Sequence, residues 1–274
     1  MSLHDVRTFY AQFAVAKGGG GEALTRAFAA VDRARFVGPG PWKIFAGAGY
    51  IETPTDDPAF VFQDVVIALK PELKLNNGEP SLHSRCMAAV APASGETVIH
   101  VGAGSGYYSA ILAELVGERG RVEAFEVEPD LAETAAGLLR DWPQTSVHAR
   151  SALGAPLPAA DAIYVSAGVS HPPLLWLDAL KPNGRLLLPL AAGWSGGLML
   201  LLTRTRDDAF AVRLVSGTMI IPCIGGQDEQ QAQALMRALA GGGAMSVRSL
   251  RRGGAPDETA WLAGDGWWFS TAEA

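Results

Sequence analysis

The stretch Val98-Ile-His-Val-Gly-Ala-Gly-Ser-Gly-Tyr-Tyr-Ser109 decides the fold, because an apolar strand runs into three alternating glycines and then into a helix-forming segment. Glycine adopts backbone conformations that other residues avoid, so Gly102, Gly104 and Gly106 let the chain turn sharply. The backbone N–H groups of such a turn approach a ligand at the carboxyl end of a parallel strand. The stretch therefore predicts a cofactor loop, with a plain strand-to-helix turn as the alternative.

The spacing of these glycines separates two classes of cofactor. The dinucleotide fingerprint G-x-G-x-x-G requires glycine at position 107. This chain has Tyr107 there, so its pattern is G-x-G-x-G. The loop favours S-adenosylmethionine over NAD, and Ser105 within it is placed to donate a hydrogen bond to that cofactor.

An acidic residue follows the loop at the expected distance. The segment Val122-Glu-Ala-Phe-Glu126 is a short apolar run that ends in a carboxylate. Nucleotide-binding folds place such an acid about 20 residues beyond the glycine loop, where it binds the ribose hydroxyls. Glu126 is the candidate for this role, and Glu128 is its rival.

Composition excludes several other functions. The 274 residues are 49% apolar and carry a net charge of −6, with no basic cluster beyond Arg248 to Arg252, so nucleic-acid binding is not expected. Two cysteines give neither a disulfide framework nor metal-ligand spacing, which fits a cytoplasmic protein with no metal site. The N-terminus lacks the order of a signal peptide, and the uncharged segment 186–202 is too short to span a membrane.

Periodicity outlines the order of elements along the chain. Helices are predicted at 5–16, 22–35, 58–69, 81–91, 106–116, 129–140 and 172–180, and strands at 121–126, 145–149, 160–166, 184–190, 198–204 and 211–217. Strands that alternate with helices indicate a parallel sheet, whereas the last two strands are expected to pair antiparallel at its edge. We predict N-terminal helices and a substrate-side loop in 1–75, a cofactor-binding core in 76–240, and a Trp-rich extension in 241–274 that packs on the core or forms a homo-oligomer contact.

Several separated motifs resemble one family. They are Val31-Asp-Arg-Ala-Arg-Phe-Val37, the glycine loop, Glu126, Asp161-Ala-Ile-Tyr-Val-Ser-Ala-Gly168, Ala179-Leu-Lys-Pro-Asn-Gly-Arg-Leu-Leu-Leu-Pro189 and Gly217-Thr-Met-Ile-Ile-Pro222. In this order they resemble class I S-adenosylmethionine-dependent methyltransferases, and more narrowly the protein-L-isoaspartate O-methyltransferases, over about residues 25–230. The resemblance implies an α/β fold with a Rossmann-like, seven-stranded, mostly parallel sheet and an antiparallel edge strand.

The resemblance also implies roles for individual residues. It places Gly102, Gly104 and Gly106 against the amino-acid part of the cofactor and Glu126 on its ribose. The family's Gly-Asp-Gly, whose acid faces the adenine, is replaced here by Ala149-Arg-Ser-Ala152, which leaves Ser151 as the nearest polar substitute. Ser166 follows a core strand at its carboxyl end, where it meets cofactor or substrate or merely ends the strand.

The segment before the cofactor strand carries the candidate acceptor-binding residues. Asn76, Asn77, Ser81 and His83 offer amide, hydroxyl and imidazole groups that orient a carboxylate. His83 is alternatively a general base for another nucleophile, although a lone histidine at a helix start is more often a cap or a packing residue. In the family, a serine tied to substrate handling lies where this chain has Gly78. We therefore expect an O-methyltransferase acting on a carboxylate of a small molecule or peptide, with isoaspartyl repair in proteins, NAD-dependent oxidoreduction and a non-catalytic module as alternatives.

Overall fold

The computed structural model describes residues 2–274 as two compact units, one ending at Arg150 and the other running from Ser151 to Ala274. No helix in this range is long and apolar enough to cross a membrane. The predicted three-part division at residues 75 and 240 is a division by role, and it stays a prediction.

Two helices open the first unit, as predicted, but the second ends at Ala30 and not at 35, because Val31 is extended and ends it. Helix α1 spans Leu3–Gly18 and α2 spans Glu22–Ala30. A capping box between Ser2 and Asp5 starts α1, since each side chain accepts a hydrogen bond from the other residue's backbone N–H. Gly19, in the left-handed conformation, ends it.

Two small hairpins lie between these helices and the cofactor strand. Strand β1 (Lys43–Phe45) pairs antiparallel with β2 (Tyr50–Glu52), and β3 (Ala68–Lys70) pairs antiparallel with β4 (Leu75–Asn76). These hairpins lie in the part of the chain where the sequence predicts a substrate-side loop.

The predicted helix over 58–69 is wrong. Asp57 caps a single 3-10 turn, Pro58–Phe60, by accepting a hydrogen bond from the backbone N–H of Ala59. The β-branched run Val65-Val66-Ile67 that follows favours extended backbone. Ile67 bridges to β1 and the carbonyl of Val66 accepts from Phe45, so strand contacts prevail over the helix signal.

The rest of the first unit alternates helices with parallel strands in the order β5-β6-β7. Its elements are α3 (Pro80–Val90), β5 (Thr97–Val101), α4 (Tyr107–Val116), β6 (Arg121–Glu126), α5 (Pro129–Leu138) and β7 (Thr145–Ala149). In register, Val101 lies opposite Phe125, and Glu126 lies opposite Ala149. The glycine loop and Glu126 therefore share one edge of the sheet.

The second unit begins with parallel strands and continues as an antiparallel sheet. Its elements are β8 (Ala160–Val165), α6 (Leu174–Ala179), β9 (Leu180–Ala191), β10 (Gly197–Arg206), β11 (Ala209–Thr218), α7 (Glu229–Gly241), β12 (Ser249–Arg252), β13 (Ala260–Gly264) and β14 (Trp267–Ser270). The strand order is β8-β9-β10-β11-β12-β14-β13, and only β8 and β9 are parallel.

The predicted α/β class agrees with this architecture, but the antiparallel part exceeds a single edge strand. The C-terminal extension pairs directly with β11 through β12, and it thereby lengthens the sheet. Trp267 and Trp268 are buried in β14, in agreement with the predicted packing role of these tryptophans. Helix α7 was not predicted, because its surface is polar and only Leu235 is buried.

Candidate active site

The glycine loop lies between β5 and α4, and all three of its glycines have positive φ. The φ angles of Gly102, Gly104 and Gly106 are 75°, 58° and 96°. The backbone N–H groups of Gly102 and Ala103 both donate to the carbonyl of Phe125, at 2.9 and 3.1 Å. The loop is thus fixed to β6 in a conformation that other residues rarely adopt.

Glu126 completes the loop from the end of β6. Its carboxylate accepts hydrogen bonds from the backbone N–H of Gly104 (2.7 Å to Oε2), Val127 (2.8 Å to Oε1) and Glu128 (2.9 Å to Oε1). A carboxylate has roughly four acceptor positions. One position on Oε2 therefore remains for a ribose hydroxyl, and the loop and acid together fit the predicted cofactor.

The rival acid is used elsewhere. Glu128 pairs with Lys70 at 2.6 Å, and Lys70 also contacts Asp130 at 2.5 Å. Hydrogen bonds to Asp130 and Glu128 raise the pKa of Lys70 to about 12. This geometry favours Glu126 over Glu128 for the ribose, and it links β3 to the start of α5.

The predicted serines lie in three different settings. Ser105 is buried, and its hydroxyl donates to the carbonyl of Phe36 at 2.5 Å, so its proton is directed away from a cofactor. Ser151 accepts from the backbone N–H of Leu153 at 3.1 Å, and Ser166 directly follows β8. Both belong to the second unit, and the cofactor contacts of all three serines stay predictions.

Asn77 is buried and belongs to a network centred on Arg33. Its Oδ1 accepts from the backbone N–H of Ile67 (3.1 Å) and from the guanidinium of Arg33 (3.2 Å). Arg33 is fully buried, and it also donates to three backbone carbonyls, those of Val61 (2.8 Å), Gln63 (2.6 Å) and Val65 (2.6 Å). The side-chain oxygen of Asn77 therefore helps to hold residues 61–83, the acceptor-side segment, in place.

Sequence reasoning assigned no role to Arg33, although the residue lies in the family-like segment 31–37. Its guanidinium lies 5.5 Å from the ring centroid of Tyr10 and 5.9 Å from that of Tyr107. The two tyrosine hydroxyls are 2.9 Å apart. The sequence offers no local signal that Arg33 is buried, because it lies between Asp32 and Arg35 in a stretch of mixed polarity.

Ser81 is held by a second network at the start of α3. Its backbone N–H donates to Asp64 at 2.7 Å, and its hydroxyl donates to Glu79 at 3.3 Å. Asp64 also accepts from Lys17 at 2.6 Å. Burial opposes ionisation of Asp64, but the hydrogen bonds from Lys17 and Ser81 outweigh it and lower the pKa of this carboxyl. Ser81 thus anchors α3 to the loop that Arg33 holds.

His83 connects the acceptor-side segment to α4, the helix that follows the glycine loop. Its ring stacks on that of Tyr108 in α4, with centroids 3.6 Å apart and planes 10° from parallel. Burial, with smaller contributions from the charges of His100 and Arg33, lowers the pKa of His83 to about 3. The imidazole is neutral at pH 7, so its pKa is far from that of an efficient general base.

The absence of a side chain at position 78 is explained by His83. A Cβ added to Gly78 lies 2.2 Å from Nε2 of His83, and Gly78 has φ +69°. The space for a side chain at position 78 is thus occupied by the imidazole. Gly78, which departs from the family pattern, thus packs against His83 of α3.

We expect Gly78→Ala to destabilise the protein by about 1 to 3 kcal/mol, because it adds both a steric clash and an unfavourable φ. The double variant Gly78→Ala/His83→Ala isolates the clash, and a double-mutant cycle by urea unfolding should give a coupling energy of at least about 1 kcal/mol. Strictly additive effects would contradict the proposed packing.

Unfolding stability should fall as the pH is lowered below 6.5. Burial also lowers the pKa of His100 to about 3, and both histidines bind protons in the unfolded chain from about pH 6.5 downward. Between pH 6.5 and 3 the unfolded state holds more protons, so each histidine removes about 1.4 kcal/mol of stability per pH unit.

Urea unfolding at pH 7, 6 and 5 measures this dependence. His100→Asn removes one titrating group while leaving a side chain able to hydrogen-bond Ser109, whose hydroxyl is 2.7 Å from Nδ1 of His100. The pH slope of this variant should drop by about one proton. An unchanged slope would contradict burial of a neutral His100.

The acceptor-side segment and the glycine loop meet within the first unit. His83 stacks on Tyr108, and a Cβ at Gly104 lies 3.5 Å from Leu69 of β3. The acceptor-side segment thus contacts both the glycine loop and the helix that follows it. This arrangement can hold an acceptor beside a cofactor and keep water out.

The chain is similar in sequence to protein-L-isoaspartate O-methyltransferases. A protein-L-isoaspartate O-methyltransferase from Brucella anthropi is 30% identical over 185 residues, which cover 66% of this chain and 80% of that protein. Protein-L-isoaspartate O-methyltransferase 2 from Shewanella sediminis is 36% identical over 137 residues, which cover 47% of this chain and 53% of that protein. The match thus spans about half the length of the second relative.

Solved structures share the fold. A protein-L-isoaspartate O-methyltransferase superposes with a TM-score of 0.67 at 22% identity, over 85% of this chain and 69% of the other. A putative enzyme of this name from Plasmodium falciparum, in complex with S-adenosyl-L-homocysteine, gives 0.61 at 16% identity, over 79% and 97%. These likenesses confirm the Rossmann-like methyltransferase fold.

A family model extends the likeness over most of the chain. The model described as Protein-L-isoaspartate(D-aspartate) O-methyltransferase matches residues 19–228, which include the acceptor-side segment, the glycine loop and Glu126. The chain belongs to this family of S-adenosylmethionine-dependent methyltransferases.

Proposed function

We propose that the protein transfers the methyl group of S-adenosylmethionine to the side-chain carboxylate of an isoaspartyl residue in a peptide or protein. The stacking of His83 on Tyr108 carries this proposal, because it holds the acceptor-side segment against the cofactor helix. The names of the relatives supply the acceptor, since each of the two described above is a protein-L-isoaspartate O-methyltransferase.

The sequence predicts a small-molecule or peptide acid as the acceptor, and the relatives do not support the small-molecule part of this prediction. That expectation rested on Gly78, which stands where the family has a serine. The packing of His83 against Gly78 supplies a structural reason for the glycine, so a redirected acceptor is not needed to explain it. The isoaspartyl alternative therefore fits better, and neither comparison favours an oxidoreductase or a non-catalytic module.

The chemistry asks little acid–base work of the protein. A carboxyl group with a pKa near 4 is already ionised at neutral pH, so no general base is required. The loop of Gly102, Gly104 and Gly106 together with Glu126 would hold S-adenosylmethionine, which would supply an electrophilic methyl group to the acceptor oxygen and leave as S-adenosylhomocysteine. The residues of this chain align the acceptor and exclude water, which lowers the barrier through orientation.

Donors for the acceptor carboxylate are to be sought at the surface of the substrate-side loop. The side chains of Asn77, Ser81 and His83 are buried, so they are not exposed to an incoming acceptor. The neighbouring Asn76 forms an exposed contact instead, with its Nδ2 3.5 Å from the hydroxyl of Tyr50 in β2. We assign Asn76 and Tyr50 to carboxylate binding, and Asn77, Ser81 and His83 to loop positioning.

A panel of acceptors tests the function. The protein is incubated with methyl-labelled S-adenosylmethionine and either an isoaspartyl peptide, the same peptide with normal aspartate, or small dicarboxylic acids. Methyl ester should form on the isoaspartyl peptide alone. Transfer only to small acids would revive the first expectation, and no transfer to any acceptor would favour a non-catalytic module.

A further inference from the structure

One face of α1 carries two phenylalanines that the fold leaves in solvent. The side chains of Phe9 and Phe13 are 65% and 47% exposed, and their ring centroids lie 6.0 Å apart. Residues four positions apart are neighbours on a helix, so the two rings form one continuous apolar strip. Scattered exposed apolar residues are ordinary, whereas adjoining aromatic rings are typical of surfaces that contact another protein.

The opposite face of α1 is already packed within the chain. Its buried residues are Tyr10, Ala11, Ala14, Val15 and Gly18. The hydroxyl of Tyr10 lies 2.9 Å from that of Tyr107. Gly18 approaches α3 so closely that an added Cβ would lie 2.6 Å from Oγ of Ser84. The helix therefore cannot rotate to bury its phenylalanines, and another molecule is needed to cover them.

The exposed face of α1 is complementary to itself. Phe9 and Phe13 lie at equal distances on either side of position 11, and so do Asp5 and Lys17. At about 100° of rotation per residue, the phenylalanines lie about 20° to either side of the middle of this face, and the two charges about 60° to either side. A two-fold axis at position 11 therefore brings Phe9 of one copy onto Phe13 of a second copy, in an antiparallel helix pair.

Charge selects this antiparallel arrangement. A parallel pair places Asp5 against Asp5 and Lys17 against Lys17, and it also aligns the two helix dipoles unfavourably. The antiparallel pair places Asp5 against Lys17 at both ends. Lys17 already contacts Asp64 at 2.6 Å and Glu79 at 3.1 Å, but its side chain is 51% exposed. An ammonium group has three donors, so one remains for a second copy.

We propose that the protein forms a two-fold symmetric dimer through the exposed face of α1, with Phe9 of each copy packed on Phe13 of the other. The 16 residues of the helix extend about 24 Å, so the interface belongs to the small and weak class. The dimer therefore depends on protein concentration, with a Kd on the order of 10 to 100 µM. This inference is independent of the acceptor and of the cofactor.

Sedimentation velocity of the full chain, over a concentration series that brackets this Kd, tests the surface. Phe9→Lys/Phe13→Lys should raise the Kd by at least about tenfold, because it places like charges against each other. Ile51→Lys is the matched control, since Ile51 in β2 is 63% exposed and lies outside α1, and it should leave the Kd unchanged. Circular dichroism melting shows whether each variant folds.

Cross-linking tests the register of the helix pair. Cys86 is buried, and Cys223→Ser removes the other native thiol. In this background, Phe9→Cys and Phe13→Cys proteins that carry tags of different mass are treated with a short bismaleimide, separately and as a mixture. The mixture should give several times more cross-linked dimer than either protein alone.

The outcomes are decisive for the proposed dimer. A protein that stays monomeric at every concentration would overturn it, and so would a Kd that Phe9→Lys/Phe13→Lys leaves unchanged or that Ile51→Lys raises equally. Cross-linking mainly within the separate proteins would also overturn it, because contacts between identical positions belong to a parallel pair. Self-association that the double lysine variant weakens and that the mixture captures would support it.

Discussion

Glu126→Ala is expected to weaken binding of S-adenosyl-L-homocysteine by about 10-fold to 150-fold. A hydrogen bond to a charged group contributes about 1.5 to 3 kcal/mol, and each 1.4 kcal/mol corresponds to tenfold in Kd. The variant loses the ribose acceptor, and it also releases the N–H of Gly104, which shapes the loop. Calorimetric titration measures the change directly.

Glu126→Gln serves as the matched control. The amide keeps one acceptor oxygen but loses the charge and the second oxygen, so its Kd should lie between those of the wild type and the alanine variant. Circular dichroism melting must show that both variants fold. An unchanged Kd in folded Glu126→Ala would contradict the assignment of the ribose to this residue.

Arg33→Leu is expected to cost about 3 to 5 kcal/mol of unfolding free energy. The guanidinium donates to the carbonyl of Val61 and to Oδ1 of Asn77 in buried hydrogen bonds, and to the carbonyls of Gln63 and Val65 in part-buried ones. Each buried acceptor left without a partner costs about 1 to 3 kcal/mol, and partial relaxation keeps the sum below the full total. Urea unfolding measures the loss.

Two other arginine variants test the cause. Arg33→Lys keeps the charge but not the planar fork, so it should recover only part of the lost stability. Arg26→Ala removes an exposed pair with Glu22 and should change stability by less than about 1 kcal/mol. A loss below about 1 kcal/mol in Arg33→Leu would contradict the network.

The cofactor half of the site could be predicted from sequence because its determinants are local. Positive φ at Gly102, Gly104 and Gly106 could be predicted because glycine adopts it most readily, and Glu126 ends the next strand along the chain. Alternating strands and helices fixed the parallel order around them. Strand β6, at Arg121–Glu126, and strand β7, at Thr145–Ala149, have the predicted bounds.

The acceptor half depends on contacts between residues far apart in the chain. Arg33 reaches Asn77 across 44 positions, and no local pattern encodes that hydrogen bond. The same network holds residues 61–65 as irregular backbone. The helix predicted from Pro58 to residue 69 is therefore only the 3-10 turn Pro58–Phe60. The sequence alone shows that Gly78 departs from the family pattern. The reason for the departure is the imidazole of His83, which fills the space of a side chain at position 78, and this contact is visible only in the folded structure.

The most direct test of the account is a comparison of methyl transfer to two peptides that differ in a single linkage. One contains an isoaspartyl residue and the other contains normal aspartate at the same position, and labelled S-adenosylmethionine reports ester formation on each. The account predicts rapid transfer to the isoaspartyl peptide and none above background to its twin. Equal transfer to both, or none to either by protein that binds S-adenosyl-L-homocysteine, would contradict it.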